Sequence, residues 1–230
     1  MNSVERSCTD CNLKSNAVAV LSDKELGMLE EGCSKLTFKK GELIFKEGAP
    51  ASYITFIRDG FVKLSKKGVG NRDFILSISK KGAYLGIQNL NRKSHENYFS
   101  ATAITNSEIC FINIGCFGKL LQRNGAFATE VISTIFDDEM HYFDRLVNNV
   151  QQHLHGRLAN TLLYFRNDVY IENPFNLNLT KTEVASLIGT SRESVSRLLK
   201  EFQDTGIIAM ERKKITILDE EKLEEIKLKG

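Results

Sequence analysis

Between Lys39 and Ile114, apolar and polar residues alternate in short runs over positions 41–45, 53–57, 61–64, 73–78 and 108–112, separated by glycines and polar residues. A period of two predicts half-buried strands, and several short strands with turn signals between them predict an antiparallel roll or barrel. Asp59-Gly60 falls between two of the runs and supplies the positive φ angles of a tight hairpin turn. Helices are expected to flank the roll, and Ser22 with Glu25 three residues on forms a capping box at one helix start.

After Gly125 the period changes. Residues 126–155 contain neither Gly nor Pro and predict one long helix. On it Phe136, Met140, Phe143, Val147, Val150 and Leu154 succeed one another at spacings of 4, 3, 4, 3 and 4, the a/d seam of a coiled coil. A helix of about 45 Å is too long to bury its whole length on a small roll, so the seam is assigned to a second copy of the chain. Gly156 then stands as a hinge, or simply as a helix stop, before a new apolar stripe at Leu158, Leu162 and Phe165.

Residues 179–202, LTKTEVASLIGTSRESVSRLLKEF, carry two helix starts ten residues apart, Thr180 with Glu183 and Thr190 with Glu193, each read as a capping box. Gly189 falls where the turn between the helices needs a left-handed residue. Ala185 is small where they cross, and Val195 is apolar where the second faces the first. This is a helix-turn-helix pattern. Glu193, Ser196 and Arg197 share one face near the start of the second helix, opposite Val195, Leu198 and Leu199. Arginine can donate twice to guanine O6 and N7, and a neighbouring glutamate can accept from cytosine N4. On another helix the same pair would read as a surface ion pair. Residues 207–210 and 214–218 alternate around Glu211-Arg212-Lys213 and predict a wing whose basic tip faces phosphate. Phosphate contacts are expected from Thr180, Thr190 and Ser191 at the helix starts and from Lys213 on the wing.

Composition narrows this picture little. Lys and Arg number 31 against 29 Asp and Glu, so a nucleic-acid footprint has to be local. No apolar run approaches a membrane span and the first residues lack a signal-peptide core, which predicts a cytoplasmic protein with no membrane partner. No Gly-rich phosphate loop, nucleophile elbow or His-Glu-x-x-His motif is present, so an enzyme is not expected.

Taken together, Lys40 to Gly48 (KGELIFKEG), Ile57 to Leu64 (IRDGFVKL) and Thr180 to Leu199 resemble the cyclic-AMP receptor protein and fumarate-nitrate regulator (CRP/FNR) family along nearly the whole chain. The fold class implied is α+β. It comprises an N-terminal antiparallel β-roll (a cyclic nucleotide-binding-like jelly roll) over residues 1–125, a dimerisation helix over 126–155 and a winged helix-turn-helix over 156–230. The resemblance implies a homodimeric transcription regulator that binds double-stranded DNA and works with RNA polymerase. Glu193, Ser196 and Arg197 match the fumarate-nitrate reading triplet, which implies a palindromic TTGA-like site. Arg192 matches the cyclic-AMP branch with its TGTGA-like site, so the outer base stays open.

For the effector, the cyclic-AMP anchors Gly-Glu and Arg-Ser correspond to Gly86-Ile87 and Phe99-Ser100, which lack both charges. A buried phosphate would lack its compensating arginine, so cyclic AMP is not expected. Cys8 and Cys11 form a Cys-x-x-Cys pair, and Cys110 stands where the iron-sulfur members of the family have their distant ligand, but Ala17 stands near the third position. Cys33 can take that place only if its segment, expected to be helical, packs near the N-terminus. An iron-sulfur cluster, a thiol-disulfide or zinc use of Cys8 and Cys11, and no metal at all stand as alternatives, with Cys110 in the last case a small buried hydrophobe. Haem is a further alternative, with His95 and His141 as candidate ligands.

Overall fold

The computed structural model describes residues 14–68, 73–91 and 96–229. The chain divides into two compact units, Met1–Lys66 with Ser79–Glu139 and Lys67–Ile78 with Met140–Gly230. Helices α1 (Asn16–Ala19) and α2 (Asp23–Glu31) come first. The strands β1 (Cys33–Phe38), β2 (Leu43–Phe45), β3 (Tyr53–Asp59), β4 (Phe61–Lys67), β5 (Asp73–Lys80), β6 (Tyr84–Leu85), β7 (Ser100–Ala103) and β8 (Ser107–Asn113) follow. They form two four-stranded sheets of order β1-β8-β3-β6 and β2-β7-β4-β5. The helices α3 (Ile114–Arg123) and α4 (Gly125–Gln151) come next, and α4 runs from the first unit into the second.

Strand β3 is buried on both faces, which is why its alternation is blurred. Thr55 and Ile57 pair with Phe111 and Ile109 of β8, while Ile54 and Phe56 join the apolar cluster under the helices. That cluster is threaded by an aromatic chain, Phe56–Tyr84 at 4.9 Å, Tyr84–Phe117 at 5.6 Å and Phe117–Phe127 at 5.3 Å between ring centroids. Helix α2 starts as predicted, with Glu25 Oε2 accepting from Ser22 N–H at 2.9 Å.

The turn at Asp59-Gly60 differs from expectation. Only Gly60 has positive φ, at 89°, while Asp59 ends β3 with ordinary backbone. A Cβ on Gly60 would lie 2.6 Å from Asn106 O and 2.8 Å from Ser107 Cα, and closer still to Ser107 Oγ. Close approach of the 106–107 backbone, as much as φ, therefore selects glycine here.

The second unit contains α5 (Leu154–Tyr164), a π-helical turn Phe165–Val169, β9 (Phe175–Asn176), α6 (Lys181–Ile188), α7 (Arg192–Asp204), β10 (Ile208–Glu211), β11 (Lys214–Ile217) and α8 (Glu220–Lys229). Its sheet runs β10-β11-β9. The core is made of Leu158, Leu162, Phe165, Phe175, Leu187, Val195, Leu198, Phe202, Ile215 and Leu223, all fully buried. Among the described residues no helix is long and apolar enough to cross a membrane.

The expected single helix to His155 and the hinge at Gly156 are corrected. Helix α4 ends at Gln151, and His153 adopts extended backbone (φ −70°, ψ 168°) as the N-cap of α5. Gly156 lies buried inside the first turn of α5, and Leu154 opens α5 instead of closing the seam of α4. The helix is broken by an extended residue that starts the next helix, a device that needs no glycine.

The two glycine conformations give a graded expectation in urea unfolding. Gly41, with φ 90°, has nothing within 4 Å of a built Cβ, so Gly41→Ala should cost only the conformational penalty of about 1 to 2 kcal/mol. Gly60→Ala adds a backbone collision and should cost more, about 2 to 4 kcal/mol. Equal losses would remove the close-approach argument.

Candidate nucleic-acid interface

Helix α6 begins with a complete capping box. Thr180 Oγ1 accepts from Glu183 N–H at 3.2 Å, and Glu183 Oε2 accepts from Thr180 N–H at 2.7 Å and Thr180 Oγ1–H at 2.9 Å. Thr180 thus spends both donors on a carboxylate, so a phosphate contact from Thr180 would require the box to open. The helix ends at Gly189, left-handed at φ 68° and ψ 47°, and the following Thr190 N–H returns to Ala185 O at 2.9 Å. That residue turns the chain sharply into α7, as the sequence pattern requires.

The start of α7 departs from the expected Thr190–Glu193 box. Ser191 is the N-cap, with extended backbone, and its Oγ accepts from Ser194 N–H at 3.2 Å. Two capping registers one residue apart are open to the segment Thr190-Ser191-Arg192-Glu193-Ser194. The earlier one would need Thr190 N–H as donor to the Glu193 carboxylate, and that N–H is already bonded to Ala185 O at the end of α6. The consequence matters for the site, because the carboxylate of Glu193 is not folded back onto the helix start and stays exposed.

Val195, Leu198, Leu199 and Phe202 line the buried side of α7, while Arg192, Glu193 and Arg197 are exposed and Ser196 is half-buried. Three charged side chains from the first two turns of α7 are thereby presented to solvent on a rigid element, with Ser196 at the margin of the same face. Strands β10 and β11 pair from Ile208↔Ile217 to Glu211↔Lys214, leaving Arg212 and Lys213 as the turn. Arg212 takes a positive φ of 56°, and Arg212, Lys213 and Lys214 are all exposed.

On α4 the residues Phe136, Met140, Phe143, Val147 and Val150 are each at least half exposed. Ile132, Ile135 and Leu146 are exposed as well and widen the stripe, positions that a strict a/d reading passes over. Eight apolar side chains on one helix exceed the scattered exposure normal for a monomer's surface.

In the first unit the cysteine positions separate. Cys8 and Cys11 lie outside the described residues. Ala17 is buried in the apolar cluster beneath the helices. Cys110 is buried in β8, and Cys33 opens β1 on the same sheet face, a strand position where a helical one was expected. Both thiols line a small cavity with Lys14, Ser15, Phe56 and Tyr84. Tyr84 OH and Ser15 Oγ share a 2.6 Å hydrogen bond, and burial pushes the Tyr84 phenol up to about 12. Among the described residues no three His, Cys, Asp or Glu side chains come together to hold a metal, so Cys33 and Cys110 alone do not make up a metal site. Cys116, which sequence reading did not single out, donates its thiol to Met28 O at 3.2 Å, and burial raises its pKa.

His95 lies outside the described residues, and His141 is exposed beside the Tyr164 ring at 6.2 Å. Phe99, where a cyclic-nucleotide site would carry arginine, is buried against Phe45 at 5.8 Å, and Ser100 Oγ accepts from Glu47 N–H at 2.9 Å. An apolar ring cannot compensate a phosphate charge.

The chain matches the model of the cyclic nucleotide-binding domain over residues 35–124 and that of the Crp-like helix-turn-helix domain over residues 156–226. It is 25% identical over 222 residues to electron transport regulator A of Shewanella oneidensis, covering 94% of this chain and 88% of that protein. It is 25% identical over 188 residues to the anaerobic regulatory protein of Bacillus subtilis, covering 80% and 79%. The fold is similar to that of FixK2 from Bradyrhizobium japonicum, with a TM-score of 0.76 at 18% identity, covering 84% of this chain and 96% of that one.

The shifted cap is testable by unfolding. Ser191→Ala should lower stability by about 1 kcal/mol through loss of the bond to Ser194 N–H, whereas Thr190→Ala should cost less. A larger loss from Thr190→Ala would restore the earlier capping register.

Proposed function

The chain belongs to the CRP/FNR family of transcription regulators, and from that premise we propose that it acts as a homodimer whose two α7 helices read an inverted repeat of TTGA- or TGTGA-like half-sites. It is a DNA-binding transcription regulator with a cyclic nucleotide-binding-like sensor domain, and not an enzyme. One observation carries the reading: exposed Glu193 and Arg197, with half-buried Ser196 between them, on a helix whose opposite face is fully buried.

In this reading α7 enters the major groove N-terminus first. Arg197 donates two hydrogen bonds to a guanine, and Glu193 accepts from a cytosine amine of the same or the neighbouring pair. Ser196 and Arg192 face the outer bases. Thr190 and Ser191 at the helix start and Lys213 on the wing contact phosphates, which hold the helix in register without selecting sequence. Exposed apolar residues of α4 pair across the two-fold axis, which matches the symmetry of the protein to that of a palindrome. Acting on promoters in the cytoplasm, the dimer has RNA polymerase as its second partner.

Gel-shift titration with a TTGA palindrome and with random duplex separates these roles. Arg197→Ala should cost about 1 to 3 kcal/mol on the palindrome and much less on random DNA. Lys213→Ala should weaken both alike and reduce the salt slope by about one. Glu193→Ala should relax preference at the G·C pair without lowering nonspecific affinity. If Arg197→Ala and Lys213→Ala behave identically, the assignment of the reading face fails.

The dimer is tested by sedimentation. Replacing Met140 and Val147 with glutamate should give monomers at micromolar concentration, where the unmodified protein sediments as a dimer. A monomeric unmodified protein, with or without DNA, contradicts the seam.

A further inference from the structure

The corner between α4 and α5 consists of two residues, Gln152 and His153, and by itself would be a hinge about a few soft dihedrals. Arg157, in the first turn of α5, spans it. Its backbone N–H closes that turn on His153 O at 3.0 Å, while its side chain folds back. Nε donates to Gln152 O at 2.9 Å, and Nη1 donates to Ile188 O at 3.3 Å. These two carbonyls stand at the C-terminal ends of α4 and α6, where a helix leaves its last acceptors without intrahelical partners and its dipole favours a cation. A planar guanidinium can hold two such acceptors in fixed relative orientation.

Two further bonds brace the same joint. Asn149 Nδ2, in the last turn of α4, donates to Leu187 O at 3.3 Å, so α6 is gripped at consecutive carbonyls. Gln152 Nε2 donates to Lys227 O of α8 at 2.9 Å. The residue after Ile188 is the left-handed Gly189, where a Cβ would stand 3.8 Å from Arg157 Nη1. The anchored carbonyl thus directly precedes the turn that aims α7.

We infer that Arg157 is a positioning residue for DNA recognition, which locks α6 and α7 onto the end of α4 and thereby sets the half-site separation that the protein accepts. This rests on the reading of α4 as the two-fold seam. With α4 paired to its symmetry mate, each α7 is held at one distance from the axis, and two recognition helices must meet grooves roughly 34 Å apart. Arg157 touches no base in this scheme. Its contribution is to spacing, and the base preference of Glu193 and Arg197 is independent of it.

The test uses the full chain and fluorescence anisotropy on four kinds of duplex. These are two inverted half-sites at the preferred separation, the same pair moved apart by one or two base pairs, a single half-site, and random sequence. Arg157→Ala should lose about tenfold on the preferred separation, the scale of one charge-assisted hydrogen bond. It should also flatten the dependence on separation and leave the single half-site unchanged. Arg157→Lys should behave as the alanine variant does, because one ammonium cannot hold both carbonyls in the same geometry. Asn149→Ala, which leaves the charge in place, should flatten the dependence more weakly and decides the matter if the Arg157 variants do not fold. Unaltered spacing dependence in the folded variants overturns the inference. So does an equal loss on every duplex accompanied by a lowered unfolding midpoint, which marks a merely structural role. Unmodified protein that binds two half-sites no more tightly than one would instead refute the dimeric reading on which the inference stands.

Discussion

Helix α7 can bury only one of its faces, and the choice is made by Val195, Leu198, Leu199 and Phe202. Burying an apolar side chain of this size contributes about 1.5 to 3 kcal/mol, so turning the helix to hide its other face would cost roughly 6 to 12 kcal/mol. A good base contact is worth about 1 to 3 kcal/mol. Folding energy therefore orients Arg192, Glu193, Ser196 and Arg197 before any ligand is met, and on the proposed reading DNA has only to match a surface already in place. The left-handed Gly189 and the Ser191 cap serve the same end by fixing where α7 begins.

Helix α4 poses the opposite problem. Phe136, Met140, Phe143, Val147 and Val150 leave their apolar surface in water, together with Ile132, Ile135 and Leu146. The same hydrophobic term that seats α7 in its unit acts on this stripe from outside, and in the proposed dimer a second copy would satisfy it with identical chemistry. The joint at Gln152, Arg157 and Ile188 connects the two solutions, since it ties the end of the uncovered helix to the helix before the reading turn.

The strands of the roll and the two helices of the helix-turn-helix were legible because burial imposes a period of two on one and a one-sided stripe on the other. Local punctuation was less legible. The break after α4 carries no glycine or proline, and His153 makes it by an extended backbone that any residue can adopt. The start of α7 offers two capping registers, and the Thr190 N–H that the earlier one needs is taken by Ala185 O, a bond between the two helices that the local run does not announce. Gly60 reads as a turn residue, yet its nearest neighbours come from residues 106 and 107, a tertiary fact invisible in the local run. Arg157 carries no signal in sequence, since its two acceptors are carbonyls from segments that meet only in the fold.

Among the cysteines, sequence placed Cys110 in a strand, where it is buried, but took Cys33 for part of a helix. Pairing of β1 with β8 is what brings the two thiols to one sheet face, and no local pattern reports strand pairing between residues so far apart. The exposed polar face of α7 and the apolar stripe of α4, by contrast, were visible because each is a periodic feature of a single helix. Whether these two faces make one symmetric reader of DNA is decided by selection from a library of randomised duplexes with the unmodified protein. A symmetric reader should enrich two inverted half-sites, each with an invariant G·C pair, at one separation near a helical turn. Enrichment of a single unrepeated motif, or of no motif, would contradict it.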